Sequence, residues 1–111
     1  MALAVTKLQK WADLKSVIGT FSVVASSNYA AGGEALGLQA LFAMRKAPFY
    51  VVIRGMAGFI YEYDYVNDKM LVFLNTAGGA NTALGEHTAA AYVAGITGDT
   101  IRGYVVFPKS L

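Results

Sequence analysis

The sequence predicts an all-β domain, a β-sandwich or jelly roll of about seven or eight antiparallel strands with little helix. Two observations support this prediction. A length of 111 residues fits one domain, and a hydrophobic content of 56% is enough to fill one core without metals or disulfides. Short runs of β-branched and aromatic residues alternate between two faces and are separated by turn residues. We therefore expect residues 1–111 to form one β-sandwich domain, with residues 1–12 as a candidate N-terminal arm.

The first two strands are predicted close to the N-terminus. Ala4 to Trp11 alternates only roughly, whereas residues 16–26 (SVIGTFSVVAS) are rich in β-branched residues and alternate clearly. Residues 26–29 have the composition of a turn, and the glycine pair at 32–33 requires a flexible backbone or a positive φ angle. A helix therefore cannot run through this segment.

Residues 35–47 (ALGLQALFAMRKA) form the stretch that is most compatible with a helix. Gly37 lies inside this stretch and Pro48 ends it. One short helix and an irregular strand therefore fit the pattern about equally well.

An aromatic hairpin follows and has the clearest pattern in the chain. Residues 49–54 are a β-rich run, and residues 56–66 (MAGFIYEYDYV) place four aromatic side chains on one face. A tight turn at residues 67–69 leads into a returning strand at residues 70–75 (MLVFLN). The four aromatic residues are Phe59, Tyr61, Tyr63 and Tyr65.

The C-terminal part combines a loop with two further strands. Residues 76–88 (TAGGANTALGEHT) have the composition of a long surface loop, and Ala89 to Ile96 predicts a short strand. Residues 100–107 (TIRGYVVF) alternate regularly. Pro108 closes this run, which is typical of a terminal or edge strand.

The composition indicates a surface that is covered by partners. Charged residues make up 14% of the chain, well below the roughly 25% of an ordinary soluble domain. A chain with so few charges has either a large buried fraction or apolar surfaces used for interaction. Self-association is therefore the first functional expectation.

The same composition excludes several classes of function. The net charge of +2 comes from nine basic and seven acidic residues scattered along the chain, without the cluster that nucleic-acid binding needs. The lack of cysteine excludes disulfides, cysteine-based zinc sites and thiol nucleophiles. Lys7 and Lys10 interrupt the apolar residues near the N-terminus, so neither a signal peptide nor a membrane span is predicted there.

Residue types that carry chemistry are few and isolated. The single histidine, His87, lacks the further ligands of a metal site and the nucleophile of a triad, so we expect a solvated loop histidine. Glu62 and Asp64, with Asp68 nearby, could form a catalytic carboxylate pair or a weak calcium site. The pattern instead favours residues on the solvent-exposed face of a hairpin. The glycine pairs lack the lysine of a phosphate-binding loop. No catalytic residue, metal ligand or cofactor site is predicted.

The tyrosines of the aromatic hairpin have two interpretations. They could form a flat platform for a sugar or a subunit partner. They could instead lie mostly in the core, with one or two hydroxyls reaching solvent or a partner, and the pattern favours this second interpretation. The candidate residues of an oligomer or ligand face are Tyr61, Tyr63 and Tyr65.

Three segments spread along the chain carry a family resemblance. They are residues 26–36 (SSNYAAGGEAL), residues 58–63 (GFIYEY) and residues 96–102 (ITGDTIR) with the final strand. The chain thereby resembles the capsid decoration, or cement, proteins of tailed bacteriophages. The resemblance implies a β-sandwich or jelly-roll module that binds the outside of an assembled icosahedral shell, commonly as a homotrimer. Such a module braces the shell against internal DNA pressure, and no catalytic residues are carried over.

The resemblance also implies partners and a location. The partners would be the major capsid protein and further copies of the chain, without nucleic acid or membrane, and the location would be the outer surface of the virion after synthesis in the bacterial cytoplasm. Candidate shell contacts are Val5, Leu8 and Trp11, because a single tryptophan near a terminus is a frequent interface anchor. A Trp11 that caps the core is the alternative.

Two other functions remain as rivals. One is a tail- or fibre-associated carbohydrate-binding module that uses the tyrosine face or the loop at residues 76–88. The other is a small hydrolase built on Glu62 and Asp64, which ranks last.

Overall fold

The computed structural model describes residues 3–74 and 84–109, and within them eight strands and two four-residue helices. In chain order the elements are β1 (Leu3–Ala12), β2 (Ser16–Ala25), β3 (Glu34–Ala35), α1 (Leu38–Leu41), β4 (Tyr50–Arg54), β5 (Ile60–Asp64), β6 (Lys69–Leu74), β7 (Gly85–Glu86), α2 (Ala94–Thr97) and β8 (Ile101–Pro108).

The eight strands form one antiparallel sheet that curls like half of a barrel. Its strand order is β1-β2-β8-β4-β5-β6-β3, and β7 pairs with the other side of β6. The prediction of an all-β fold with about eight antiparallel strands and little helix is confirmed.

The hydrophobic core lies on one face of this sheet. Alternate residues of β2, β4, β5, β6 and β8 point to it, because successive side chains of a strand point to opposite faces. Helix α1 and residues 27–29 and 90–92, which pair with each other through the Asn28–Ala91 bridge, contribute buried side chains to this face. The largest fully buried side chains are Tyr29, Phe21, Phe42, Phe107, Leu38, Met70, Ile96 and Ile101.

Two strand glycines let aromatic rings approach the sheet closely. A Cβ atom added at Gly103 would lie 2.0 Å from the ring of Phe21, and one added at Gly19 would lie 2.3 Å from the ring of Phe42. Both distances are far below van der Waals contact. The glycines in β2 and β8 therefore make room for the rings of Phe21 and Phe42 against the sheet.

The structure corrects the prediction that Ala89 to Ile96 forms a strand. Only Ala91 makes a β-bridge, and Ala94–Thr97 forms α2. Tyr92 lies before this helix and Ile96 lies within it, and both are buried. The chain forms the single helical turn of α2 here, and not a strand, before it enters β8.

The position of β8 is a second correction. We predicted a terminal or edge strand, but β8 lies in the interior of the sheet between β2 and β4. Pro108 is tolerated because it is the last residue of the strand, opposite Ser16.

In the ambiguous stretch 35–47, the helix is limited to α1, since Gly37 before it and Ala43 after it have positive φ angles of 67° and 55°.

Candidate interaction surface

The second face of the sheet is not covered by any other described part of the chain. It carries the residues that alternate with the core residues, and several of its large apolar side chains are exposed. We call this surface the uncovered face. Its residues on the five strands β1, β2, β8, β4 and β5 include Leu8, Trp11, Ile18, Thr20, Ser22, Val24, Arg102, Tyr104, Val106, Tyr50, Val52, Arg54, Ile60 and Glu62.

The uncovered face is organised in rows of directly opposed residues. The first row consists of Trp11, Ile18, Val106 and Tyr50, which pair in this order across four neighbouring strands. Trp11 keeps 44% and Tyr50 50% of its surface exposed. Directly opposed side chains are in contact range, so this row is a continuous apolar stripe across the sheet.

The second row lies beside the first and continues its apolar character. Thr20, Tyr104 and Val52 are opposed across β2, β8 and β4. The rings of Tyr104 and Tyr50 meet edge to face with their centroids 6.5 Å apart, an arrangement favoured by the aromatic quadrupole. The two rows together form a patch of aromatic and aliphatic side chains.

The third row brings two positive charges together. Ser22, Arg102 and Arg54 are opposed across β2, β8 and β4. Opposed residues of an antiparallel pair have Cα atoms about 5 Å apart, and like charges in such positions destabilise a sheet. Both arginines are exposed, so water screens part of this repulsion.

A cavity of about 370 Å³ lies where these rows meet. It is open to solvent, and its lining combines apolar side chains from three strands with the two arginines. The residues that line it are Leu8, Thr20, Phe21, Val52, Arg54, Arg102, Gly103 and Tyr104.

The edges of the sheet are poorly suited to pairing with another chain. Strand β1 carries a register shift between Lys7 and Gln9, and Lys10 donates a hydrogen bond from Nζ to the carbonyl of Phe42 at 2.6 Å. A bulge and lysines are devices that protect an edge strand. At the other side, β3 and β7 have only two residues each. The broad surface available for interaction is therefore the uncovered face.

The structure separates the three predicted shell contacts. Leu8 and Trp11 lie on the uncovered face, with 42% and 44% of their surfaces exposed. Val5 is partly buried and packs against the core on the opposite face. Trp11 does not cap the core, because it is half-exposed and lies opposite Ile18, whose side chain points away from the core.

The predicted tyrosine platform is also divided. Tyr61 and Tyr63 are buried core residues, and their hydroxyls donate hydrogen bonds to Asp99 and Asp68. Desolvation and these hydrogen bonds raise the pKa of both hydroxyls. Tyr61 and Tyr63 are therefore core residues, as the favoured interpretation predicted, and the structure removes them as candidates for a ligand or oligomer face. Only Tyr65 is exposed, and its ring packs edge to face on Tyr63.

A second cavity, of about 360 Å³, lies between β4 and β5. These strands share a single register pair, Ile53 with Tyr61, and diverge beyond it. In the gap, the Tyr65 hydroxyl accepts a hydrogen bond from the backbone N–H of Val51 at 2.9 Å. The Tyr65 hydroxyl thus takes the place of a backbone hydrogen bond between the two strands.

Two of the three acidic residues considered for a carboxylate pair or a calcium site, Asp64 and Asp68, accept hydrogen bonds that hold turns and loops. The Asp64 carboxylate accepts hydrogen bonds from the side-chain amide of Asn67 and the backbone N–H groups of Val66 and Asn67, which lower its pKa. The Asp68 carboxylate accepts from the N–H groups of Gly37 and Leu38. Glu62 is exposed and lines the cavity between β4 and β5.

The expectation of a solvated histidine is wrong. His87 is only 4% exposed, and its ring packs between Tyr29 and Tyr92 with centroid distances of 5.2 Å and 5.4 Å. Its Nδ1 lies 2.6 Å from the carbonyl of Thr88. Of the predicted loop at 76–88, residues 76–83 lie outside the described residues.

Sequence reasoning missed Tyr50, Arg54, Arg102 and Tyr104 as surface residues. A signal was present, since β2, β4 and β8 have apolar residues in both alternating sets. A strand that is apolar on both sides indicates either burial in two layers or an exposed apolar face.

Other kinds of site find no support in the described part of the chain. Residues 3–74 and 84–109 contain no group of three or more histidine or acidic side chains that could hold a metal ion. None of the described helices has the length and apolar character needed to cross a membrane. Comparisons with protein-family models, curated proteins and solved structures found no match to this chain.

Proposed function

We propose that this chain is a structural binding protein that attaches to the outer surface of a bacteriophage capsid through its uncovered face and stabilises the shell. The observation that carries this proposal is a sheet face with two apolar rows and a third row that carries two arginines, which no other described part of the chain covers. The direct partner is the major capsid protein, as the family resemblance implies.

The chemistry of the face supports binding to a protein surface. Aromatic residues and arginine are enriched in the centres of protein interfaces, and the stripe from Trp11 to Tyr50 beside Arg54 and Arg102 has this composition. Exposed apolar patches of this kind are rare on monomeric proteins unless they bind something.

The internal polar network supports a structural role over a catalytic one. Asp64, Asp68, Asp99 and Glu86 accept hydrogen bonds from backbone N–H groups, and three of them also bind a tyrosine hydroxyl. Carboxylates used in this way fix turns and loops around the sheet. The result is a rigid platform for the uncovered face.

Many simultaneous weak contacts between the oligomer and the shell would together give firm attachment. A shell offers many equivalent sites, and an oligomer of the chain, such as the trimer that the resemblance implies, would engage several of them at once. Each single contact then needs only weak affinity.

The proposal is tested by cosedimentation with undecorated capsids of the phage that encodes the chain. Wild-type protein should sediment with the particles and raise the temperature at which they rupture. Absence of both effects would show that the shell is not the partner.

A matched pair of variants tests the assignment of the face. Val24 lies on the uncovered face opposite Ala4, and Val66 lies in the turn after β5, with 54% and 90% of their surfaces exposed. Val24→Lys places a charge at the proposed interface and should weaken binding by about tenfold, whereas Val66→Lys should bind like wild type. Equal affinities of the two variants would move the contact to another surface.

A further inference from the structure

The cavity on the uncovered face has the features of a carboxylate-binding site. Arg54 and Arg102 are opposed in the sheet and both line it. Like charges on directly opposed residues repel each other, and an anion bound between the two side chains would remove this repulsion. Each guanidinium can also bind a carboxylate through two parallel hydrogen bonds.

The other residues that line the cavity determine which chemical groups can bind beside the carboxylate. Leu8, Val52 and Tyr104 form apolar walls, and Thr20 adds a hydroxyl. A small inorganic anion would leave these walls unused. An acidic side chain that is flanked by apolar side chains would use both parts of the cavity.

We propose that the Arg54–Arg102 cavity binds a glutamate or aspartate side chain from an extended, partly apolar segment of the partner protein. The identification of this partner as the capsid protein rests on the proposed function, but the chemistry of the cavity does not. The volume of about 370 Å³ falls in the range of small ligand sites and suits one acidic side chain with an apolar neighbour.

The charge distribution favours a protein partner over a nucleic acid. A phosphate backbone is bound by a line of cations. On the uncovered face the next cation along the sheet, Lys69, lies opposite Asp64, whose pKa it helps to lower. Among the described residues of this face, the two arginines therefore form a pair and not a line of cations, and the acidic Glu62 lines the neighbouring cavity together with Arg54.

The proposal is tested by NMR titration of the full-length labelled chain with two defined peptides. The first is an acetylated and amidated Ser-Val-Ser-Glu-Ser-Val-Ser peptide, and the second has Gln in place of Glu. The Glu peptide should give saturable shifts of the Arg54 and Arg102 Nε–H signals and of the Leu8 and Val52 methyl groups. The Gln peptide should bind about fivefold more weakly or worse. Equal binding of both peptides, or shifts confined to other residues, would overturn the proposal.

Variants and a competing ligand sharpen the test. Arg102→Gln should weaken binding of the Glu peptide about fivefold, while Arg45→Gln, which removes an equal charge from the exposed segment after α1, should leave it unchanged. A thymidine octamer that shifts the same signals with higher affinity than the Glu peptide would contradict a protein partner. Because no capsid is present, these results stand apart from the cosedimentation experiment, and either proposal can fail alone.

Discussion

At the scale of single residues, carboxylates hold together the parts of the chain that are not strands. Asp99 is the clearest case, since it accepts hydrogen bonds from the Tyr61 hydroxyl at 2.7 Å and from the N–H groups of Met56 and Ala57 at 2.7 Å and 3.0 Å. It thereby joins the turn between β4 and β5 to the start of β8. Burial opposes ionisation of Asp99, but the hydrogen bonds outweigh it and lower its pKa.

The lowered pKa predicts how stability depends on pH. The folded-state pKa of Asp99 lies below the unfolded value near 3.8, so its carboxylate stabilises the fold above that pH. This contribution is lost as the pH falls through the folded-state pKa. Asp99→Asn should lower the free energy of unfolding at pH 7 by about 1–2 kcal/mol and flatten its dependence on pH below the unfolded value near 3.8. Urea unfolding across this pH range measures both effects.

Asp13→Asn is the control for this experiment. Asp13 lies in the exposed turn between β1 and β2, where its carboxylate accepts a hydrogen bond only from the adjacent N–H of Leu14 among the described contacts. The control should follow the wild-type pH profile. An Asp99→Asn profile that also follows wild type would show that the Tyr61–Asp99 contact does not contribute to acid stability.

At the scale of elements, the junction between β4 and β5 has the fewest register pairs of the described sheet. The strands meet only at Ile53 and Tyr61, and the next inward residue of β4, Val51, bonds through its N–H to the Tyr65 hydroxyl. Val51 is itself buried. Without this hydroxyl, the N–H of Val51 would lose its hydrogen-bond partner within the chain.

Tyr65→Phe should therefore destabilise the protein although Tyr65 is half-exposed. Loss of the hydrogen bond leaves a buried donor unsatisfied, and we expect the free energy of unfolding to fall by about 1–2 kcal/mol. Hydrogen exchange of the Val51 amide should accelerate by more than that of its neighbours in β8. The measurements are urea unfolding and amide exchange by NMR.

Tyr50→Phe provides the matched control, because Tyr50 precedes Val51 in β4 and its side chain lies on the uncovered face. It should change the free energy of unfolding by less than about 0.5 kcal/mol. Equal losses in the two variants would assign the effect to ring packing and not to the Val51 hydrogen bond.

At the scale of the whole molecule, the fold is one curled sheet with a core on one side and a free apolar face on the other. The core side is closed by short helices and loops, which leaves the rows from Trp11 to Tyr50 without a partner within the described chain. Binding would remove this surface from water, a contribution proportional to the apolar area that is covered.

The single tryptophan reports on this burial. Trp11 is 44% exposed in the free chain, so its fluorescence should be readily quenched by acrylamide. Capsid binding should reduce quenching about twofold and shift the emission to shorter wavelength, because an interface core excludes water. The emission of the shell is subtracted with a Trp11→Phe sample at saturating concentration. Bound protein with unchanged Trp11 quenching would place the contact elsewhere.

The local sequence pattern was sufficient to predict most of the strands. The alternation in β2, β5 and β8 was strong because apolar residues recur at every second position, and this period depends only on strand geometry. The core position of Tyr61 and Tyr63 follows from the same alternation. The prediction of a strand over residues 89–96 was wrong, because alternation does not show that the backbone changes from the bridge at Ala91 to the helical turn at Ala94–Thr97.

The sequence by itself determined the fold class, the alternation of the strands and the excess of apolar residues. Only the tertiary structure decided the order of the strands, which places β8 in the interior and brings Arg54 opposite Arg102 although they are far apart in the chain. Alternation gives two faces to each strand but does not say which face the rest of the chain covers. That choice depends on where α1 and residues 27–29 and 90–92 pack, and these contacts are long-range.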